Sequence, residues 1–499
     1  MELQFKRTDR TCLEPLVREV QTMELTQEIK VPDGLPDIGR VICAWGQTIL
    51  RGKQWHSDSI GCSGGLMLWV LYAPEDGAGE QVLDAWVPFQ AHWELPEGAA
   101  EGQIRADCRL RFLDARSVSA RRIMVRAGVY IQMEALSPIR FQTYGPEEPI
   151  PDVELLEALY PLRLIKEAGE KTFLLEEPLS LPQGSPEPEK VICYSLHPKV
   201  TDKKVLSNKL VFRGTGNLHL LYQSGEGEIG SWDEELPFSQ FADLDGEYSQ
   251  EAQTDLVTAL TSTELTLEDG GQLRLKCGMV AQYRVMDREM VPVVEDGYSP
   301  GKSLELSRES LTLPVLLENH RENLQGEESL AAEGENLIDL WLLPDFPRQQ
   351  PGQDTIGLEI HGMLQALYRD PEGRLQSASQ RWTGHRQLPA GEDTRLDADA
   401  QYPENLTGVP DGGKLRVKLD LPLIWTAEAN QSFPQVTGVT VGEAKASEED
   451  RPSLILRRLG KDRLWDVAKE TGSTMAAIRK ANGLAEAAAP DRLLLIPVS

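Results

Sequence analysis

The stretch from Gly64 to Gly77, GGLMLWVLYAPEDG, is strongly apolar and ends in a cluster of turn-forming residues. Its aliphatic and aromatic side chains are typical of a buried β-strand. Pro74-Glu75-Asp76-Gly77 favours a tight turn, and a second strand-like stretch follows from Val82 to Val87. The sequence therefore predicts a β-hairpin at this position.

The hairpin recurs twice along the chain. Gly214 to Tyr222 repeats the pattern at an offset of 150 residues, and Leu367-Tyr368 repeats its end 146 residues further on. A glycine comes five residues after the tyrosine in every copy, at Gly77, Gly227 and Gly373. The openings also correspond, as Val41-Ile42-Cys43, Val191-Ile192-Cys193 and Leu337-Ile338. We infer three divergent copies of one module.

The module is expected to be rich in β-strands. Leu273, Leu275, Cys277 and Met279 alternate with polar residues, a pattern that places apolar side chains on one face of a strand. Several short strands of this kind predict a mainly β protein with three tandem, divergent β-sandwich-like modules, or partly closed barrels. Two helical segments are expected as well, one from Val153 to Gly169 and one near the N-terminus.

Turn-forming residues between the copies predict the domain boundaries. The expected order is module 1 at residues 1–150, a helical connector at 151–172, module 2 at 173–300, module 3 at 301–437, a linker at 438–452 and a C-terminal domain at 453–499.

The C-terminal domain has a different pattern, strand–helix–helix–strand, and is predicted to be a small α+β (βααβ) domain. Asp462 is a plausible N-cap of the first helix, and Gly472 and Gly483 are expected to end the two helices. Thr474 or Ser473 would cap the second helix. Trp465 is expected in the core, with a partly exposed interface position as the alternative.

This domain resembles the LysM family in Gly460-Lys461-Asp462-Arg463-Leu464-Trp465, Lys480-Ala481-Asn482-Gly483-Leu484 and Leu494-Leu495-Ile496-Pro497. LysM domains usually bind N-acetylglucosamine polymers between the loop after the first strand and the loop before the second. The resemblance implies binding residues for a glycan or a protein partner at Gly460, Lys461, Asp462, Arg463, Leu464, Asn482, Gly483, Leu484 and Arg492. Arg463 and Pro490-Asp491-Arg492 depart from the family pattern and place bulky charge where a sugar would bind.

The modules resemble the SPOCS domain, in Val31-Pro32-Asp33-Gly34-Leu35-Pro36-Asp37-Ile38-Gly39-Arg40-Val41 and in Glu295-Asp296-Gly297-Tyr298-Ser299-Pro300-Gly301. Tandem SPOCS domains followed by LysM are the arrangement of SipL-type spore-coat morphogenetic proteins. The resemblance implies a protein without enzymatic activity on the mother-cell side of the forespore surface. Its LysM domain would contact a partner similar to stage IV sporulation protein A, the coat ATPase.

Composition narrows the possible partners further. The chain has 79 acidic and 51 basic residues, a formal charge of −28 and a pI near 4.8. Such a charge disfavours binding to nucleic acid or to anionic membranes. The sequence shows neither a secretory signal nor a transmembrane segment, and its six cysteines are widely spaced, so a cytoplasmic protein with reduced thiols is expected.

Catalytic and metal motifs receive little support. Gly61-Cys62-Ser63-Gly64-Gly65 fits a nucleophile elbow, but that motif lies between a strand and a helix, whereas this one precedes a strand. The seven histidines lack the spacing of a zinc site. We therefore expect no enzyme activity, no cofactor and no metal.

Two functions remain open. The first is a scaffold of endospore coat assembly that docks the coat ATPase through the C-terminal domain, the one basic region of the chain. The second is a cell-wall protein that binds peptidoglycan through LysM.

Trp86 and Phe89 in module 1 parallel Trp232 and Phe238 in module 2, and these aromatic residues are expected in the core.

Overall fold

Strands make up most of the chain that the structure describes. The structure is a computed structural model, and it describes residues 2–77, 79–268, 270–332, 336–391, 393–445, 452–460, 462–484 and 493–498. Two short helices lie near the C-terminus. The predicted mainly β class is confirmed.

The first repeat, residues 6–145, has six strands in two antiparallel sheets. After the short β1 (Glu2–Gln4), its strands are β2 (Lys6–Lys30), β3 (Ile38–Trp55), β4 (Ser59–Pro74), β5 (Gln81–Glu94), β6 (Gln103–Ser119) and β7 (Arg122–Gly145). One sheet has the order β3-β4-β5, and the other contains β2-β7-β6. Leu66 and Leu68 of the first sheet pack with Val125 and Ala127 of the second, as in a β-sandwich.

The second repeat, residues 154–298, has the same strand order. Its strands are β8 (Glu154–Leu179), β9 (Pro188–Leu206), β10 (Lys209–Ser224), β11 (Ile229–Asp243), β12 (Gln253–Leu267) and β13 (Leu273–Tyr298). β9, β10 and β11 form one sheet, and β8, β13 and β12 form the other. The pair Leu13–Ile165 joins this second sheet to β2 of the first repeat.

The third repeat, residues 302–444, keeps the order but divides two of its strands. It contains β14 (Lys302–Leu330), β15 (Asn336–Pro344), β16 (Arg348–Pro351), β17 (Thr355–Arg369), β18 (Leu375–Pro389), β19 (Thr394–Ala400), β20 (Asn405–Asp411) and β21 (Lys414–Ala444). β15 and β16 share one edge of β17, and β19 and β20 share one edge of β21, which also pairs with β1 and β14. The repeat inferred from sequence thus corresponds to a repeated strand order.

The helices expected at Val153–Gly169 and near the N-terminus are wrong. Both segments are the long first strands of their repeats, β8 and β2. The Leu, Glu and Ala content of β8 favours a helix, but pairing with β13 along its whole length overrides that propensity. Pro161 would break a helix, whereas a strand tolerates it where no neighbour requires its N–H. The helical connector at 151–172 therefore does not exist.

The linker expected at 438–452 is also wrong in its first half. Gly438 to Ala444 continue β21 and pair with β14 of the same repeat, where Gly438 lies opposite Ser307. The small and acidic residues of this stretch favour a solvated segment, but β14 supplies hydrogen-bond partners for its backbone N–H and C=O groups. Residues 446–451 lie outside the described part of the chain.

In the first two repeats, a glycine at the corresponding position lies close to an aromatic ring. Across the strand pairs, Gly64 lies opposite Phe89 and Gly214 opposite Phe238, and a Cβ atom at these glycines would lie 2.7 Å and 2.5 Å from the respective ring. Both aromatic residues are buried. The predicted core position of Phe89 and Phe238 is therefore confirmed, and the missing glycine side chain leaves room for the ring.

Trp86 departs from this pattern. Its side chain is 41 % exposed, and the Arg51 guanidinium lies 5.1 Å from the centre of its ring. Trp86 pairs opposite Met67, whereas Trp232 pairs opposite Leu220, so the two tryptophans do not occupy equivalent positions. The expectation that Trp86 lies in the core is wrong.

Substitution of Gly214 by alanine is expected to destabilise the second repeat. A Cβ atom there would lie 2.2 Å from the Lys199 carbonyl oxygen and 2.5 Å from the Phe238 ring. Overpacking of this kind costs about 1–3 kcal/mol, which differential scanning calorimetry would detect as a lower Tm. Gly225→Ala is the control, because its nearest neighbour would be 3.7 Å away. Equal Tm values for both variants would contradict the close contact.

The three repeats pack against one another through the sheets that contain β3, β9 and β15. The Trp45 and Trp341 ring centroids are 5.5 Å apart, and those of Trp69 and Tyr194 are 5.0 Å apart. Cys43 and Cys193 lie buried in the same cluster. All six cysteines are buried and free, as expected, and burial raises the pKa of Cys43 to about 12. This thiol is therefore a core residue rather than a nucleophile.

The C-terminal domain has the predicted βααβ order. It consists of β22 (Leu454–Arg458), α1 (Leu464–Thr471), α2 (Met475–Asn482) and β23 (Leu493–Pro497), and β22 pairs antiparallel with β23. Gly472 and Gly483 end the helices with φ of 61° each, and Thr474 accepts a hydrogen bond from the Ala477 N–H as N-cap of α2. The N-cap of α1 is Arg463 rather than Asp462, because Asp462 lies one residue too early and binds Arg457 instead.

Candidate functional site

The C-terminal domain is attached to the end of β13. Trp465 is buried and donates a hydrogen bond from Nε1 to Oδ2 of Asp296, at 3.0 Å. Lys469 binds the same oxygen at 2.6 Å. Tyr298 donates its hydroxyl to the Ser473 carbonyl oxygen at 2.9 Å, and its ring lies 4.9 Å from that of Trp465. Trp465 is thus both a core residue and the anchor of an interface within the chain.

Asp296 is the polar centre of this interface. Burial would raise the pKa of this carboxyl, but hydrogen bonds from Lys469 and Trp465, the Gly297 N–H and Arg308 lower it to about 2. Arg308, on β14, binds Oδ1 at 2.6 Å. The carboxylate is therefore ionised at neutral pH and links the third repeat and the C-terminal domain to the second repeat.

The first predicted binding loop lies beside this interface. Gly460 is exposed with φ of 57°, a conformation that favours glycine. Asp462 forms an ion pair with Arg457 at 2.9 Å, and Arg463 forms one with Asp466 at 2.9 Å. Leu464 is half-buried and packs on the domain core. Lys461 lies outside the described residues. The charged side chains of Asp462 and Arg463 are thus both paired locally.

The second predicted loop has a mainly structural role in its described part. Asn482 donates Nδ2 to the Leu495 carbonyl oxygen at 2.6 Å and accepts the Leu495 N–H at 2.8 Å. These bonds fasten the end of α2 to β23. Gly483 carries the left-handed turn, and Leu484 packs on the core. Arg492 lies outside the described residues.

An apolar face that the sequence analysis missed lies on the outside of the β22–β23 sheet. Leu454, Leu456 and Leu493 are 49 %, 62 % and 60 % exposed. Ile455, Leu494 and Ile496 alternate with them and face the helices. The alternation in Ser453-Leu454-Ile455-Leu456 is weak because both faces carry aliphatic residues, so the sequence alone could not separate them. Exposed leucines clustered in this way are typical of a surface that binds a protein.

A buried ion network lies where the three repeats meet. Arg284, on β13, is fully buried and contacts four carboxylates: Glu134 at 3.0 Å, Asp255 at 3.1 Å, Asp397 at 2.6 Å and Glu428 at 3.1 Å. Arg18 and Arg105, both of the first repeat, add further ion pairs to these acids.

The arginines keep Glu134 and Asp255 ionised. Burial would raise the pKa of Glu134 and of Asp255, but the nearby arginines hold both well below the usual range. The network therefore joins all three repeats through buried ion pairs, and breaking one of these pairs would leave an uncompensated buried charge at a high cost in free energy.

A cavity of about 200 Å³ adjoins this network. The His197 ring stacks on Tyr402 across it, with centroids 3.5 Å apart, and burial lowers the pKa of His197 to about 3. Five basic and five acidic side chains line the cavity, so it has no excess of either charge. We assign it a structural role beside the network.

His219 links the second and third repeats. Its Nδ1 lies 2.7 Å from Asp233 Oδ1, and its Nε2 lies 3.1 Å from Asp339 Oδ1 of the third repeat. Burial lowers the pKa of His219, but the two aspartates together raise it to about 10.

The stability of the protein is expected to depend on His219 in a defined pH range. Since the folded pKa exceeds the unfolded value, the charged form stabilises the protein fully below about pH 6.5, and this stabilisation is lost as the pH rises towards 10. His219→Gln should therefore lower Tm most at pH 6 and least at pH 10. A gap between wild-type and variant Tm that stays constant with pH would contradict the ion pair.

Among the described residues, no helix is both long and apolar enough to span a membrane.

In the comparisons with curated proteins and with solved structures, nothing matches the chain. A family model described as SipL, SPOCS domain matches residues 187–266. The match runs from the start of β9 almost to the end of β12 in the second repeat. This match supports a relation of the chain to the SipL family and indicates a sporulation-related protein.

Proposed function

We propose that the protein is a non-enzymatic scaffold of endospore coat assembly, and that its C-terminal domain, of LysM type, binds the coat ATPase at the forespore surface. The observation that carries this proposal is the arrangement of that domain. One side is fixed to β13 through Trp465 and Tyr298, while the outer sheet face exposes Leu454, Leu456 and Leu493. A small domain held in this way presents an apolar surface that a protein partner could cover.

The SPOCS match extends by analogy to the other repeats. It covers part of one repeat, but the first and third repeats share the strand order of that repeat, and the first also shares its glycine–aromatic pair. We infer that all three are SPOCS domains and that they position the C-terminal domain on the mother-cell side of the forespore.

A protein partner suits the two loops better than peptidoglycan does. The Asn482 side-chain amide is engaged with Leu495 through both its oxygen and its nitrogen. Arg463 carries a large charged side chain, paired with Asp466, at the mouth of the expected sugar groove. A glycan would have to compete with these internal bonds for its own hydrogen bonds.

Capture of the purified coat ATPase tests the proposal. The full chain should retain the ATPase in a pull-down, and removal of residues 453–499 should abolish retention. Leu456→Asp, on the exposed sheet face, should weaken binding at least about tenfold, because it places a charge inside an apolar contact. Leu159→Asp is the matched control, since Leu159 is 63 % exposed on β8 of the second repeat.

Two results would count against the proposal. Unchanged capture after removal of residues 453–499 would exclude the C-terminal domain as the binding site. Sedimentation of the full chain with purified peptidoglycan, abolished by the same truncation and without ATPase capture, would favour the cell-wall function instead.

A further inference from the structure

A cleft of about 290 Å³ between the first and third repeats has an unusual charge for this chain. Arginines from three strands line it: Arg111 of β6, Arg126 of β7 and Arg381 of β18. Only two carboxyl groups, those of Glu24 and Asp345, share the lining. In a protein with a formal charge of −28, this local excess of positive charge requires an explanation.

The backbone directs Arg111 to this place. The pairing of β6 with β7 shifts register between Leu110 and Phe112, so Arg111 occupies a β-bulge. A bulge redirects a side chain away from the regular alternation of its strand. The same bulge occurs in the second repeat between Leu260 and Ser262, where the residue is Thr261. The bulge is therefore common to the first two repeats, whereas the arginine at this position occurs in the first repeat, which lines the cleft.

Phe112 holds two of the guanidinium groups in position. The Arg111 guanidinium lies 6.0 Å from the centre of the Phe112 ring, and that of Arg126 lies 5.9 Å from it. Gly128 gives the ring its space, because a Cβ there would be 2.5 Å from the Phe112 Cε1. The two cations are thus arranged around one aromatic side chain before any ligand arrives.

The carboxyl groups neutralise only part of this charge. Glu24 pairs with Arg126 at 2.8 Å. Asp345 accepts a hydrogen bond from the Tyr130 hydroxyl at 3.0 Å, and burial raises its pKa. Arg111 and Arg381 form no salt bridge with any residue that the structure describes. Arg111 interacts electrostatically with Asp345 without a salt bridge, so two guanidinium groups in the cleft form no direct ion pair among the described residues.

We propose that this cleft is an oxyanion-binding site that takes a phosphoryl group. Guanidinium groups donate paired hydrogen bonds in a geometry that matches phosphate oxygens. With Glu24 already paired to Arg126, the remaining arginines favour a dianion over a singly charged carboxylate. The site lies in the SPOCS-like repeats and is independent of the function proposed for the C-terminal domain.

Isothermal titration of the full chain with pyrophosphate and with phosphoserine, at constant ionic strength, tests the proposal. Saturable binding of either probe with one site per chain is expected, and the tighter one shows whether the phosphoryl group is free or attached to a side chain. Arg111→Gln and Arg381→Gln should each weaken that binding at least about tenfold. Arg381 is exposed, so its variant tests the site even if Arg111→Gln fails to fold.

Arg116→Gln is the matched control, because Arg116 also lies on β6 but is 80 % exposed and does not line the cleft. Its affinity for the probe should equal that of the wild type. Absence of saturable binding, or equal affinity in all three variants, would overturn the proposal.

Discussion

Replacement of Arg284 by glutamine is expected to destabilise the assembled repeats by about 3–5 kcal/mol, the usual cost of breaking a buried ion pair from one side. Arg284 is fully buried and contacts carboxylates of all three repeats. Its removal leaves Glu134, Asp255, Asp397 and Glu428 with Arg18 and Arg105 as their only ion-pair partners among the described residues. Uncompensated carboxylates in a buried site must either be protonated or draw in water, and both are costly.

Differential scanning calorimetry and hydrogen exchange would measure this effect. We expect a markedly lower Tm and faster exchange of amides where β6, β12 and β19 approach the network, because these strands carry Arg105, Asp255 and Asp397. Arg288→Gln is the control: Arg288 lies on the same strand, β13, but is exposed. A Tm for Arg284→Gln equal to that of the control would show that the network contributes little to stability.

The sequence predicted the repeat but not this network. Gly77, Gly227 and Gly373 indicated the same turn in three copies, and all three glycines have positive φ in hairpin turns. Turn glycines and apolar alternation are local signals, and they survive divergence between copies. Arg105, Asp255 and Asp397, in contrast, lie about 150 residues apart and meet only when the repeats pack. Among 79 acidic residues, no local pattern distinguishes the few that are buried.

The candidate site shows the same division. Helix ends at Gly472 and Gly483 were predictable because left-handed glycine caps have a sequence signature. The contact of Trp465 with Asp296 joins residues 169 positions apart, which no periodicity reveals. The composition of β8 favours a helix, and only its pairing with β13 makes it a strand.

Trp465→Ala is expected to unfold the C-terminal domain while the three repeats stay folded. Removal of a buried tryptophan costs about 3–5 kcal/mol. Among its described residues, the domain has few other large core side chains, and these include Val467, Ile478, Leu494 and Ile496. A core of this size has a stability of only a few kcal/mol, so the loss should exceed it.

Hydrogen exchange followed by mass spectrometry would localise the change. Peptides from α1 and α2 should lose protection in Trp465→Ala, whereas peptides from β10 and β17 should keep it. Tyr298→Phe is the control, because it removes only the hydroxyl that binds the Ser473 carbonyl and keeps the ring against Trp465. That variant should cost about 1 kcal/mol and leave the domain folded.

Asp296→Ala separates folding of the domain from its attachment. It removes the partner of Trp465 Nε1, Lys469 and Arg308 but leaves every core residue of the domain in place. The domain should then stay protected from exchange while its contact with β13 loosens, which small-angle scattering would detect as a larger radius of gyration. Collapse of α1 and α2 in Asp296→Ala would instead mean that the domain depends on β13 for its fold. If the domain stays folded and still captures the coat ATPase, binding needs only the folded domain, and attachment to β13 serves to place it.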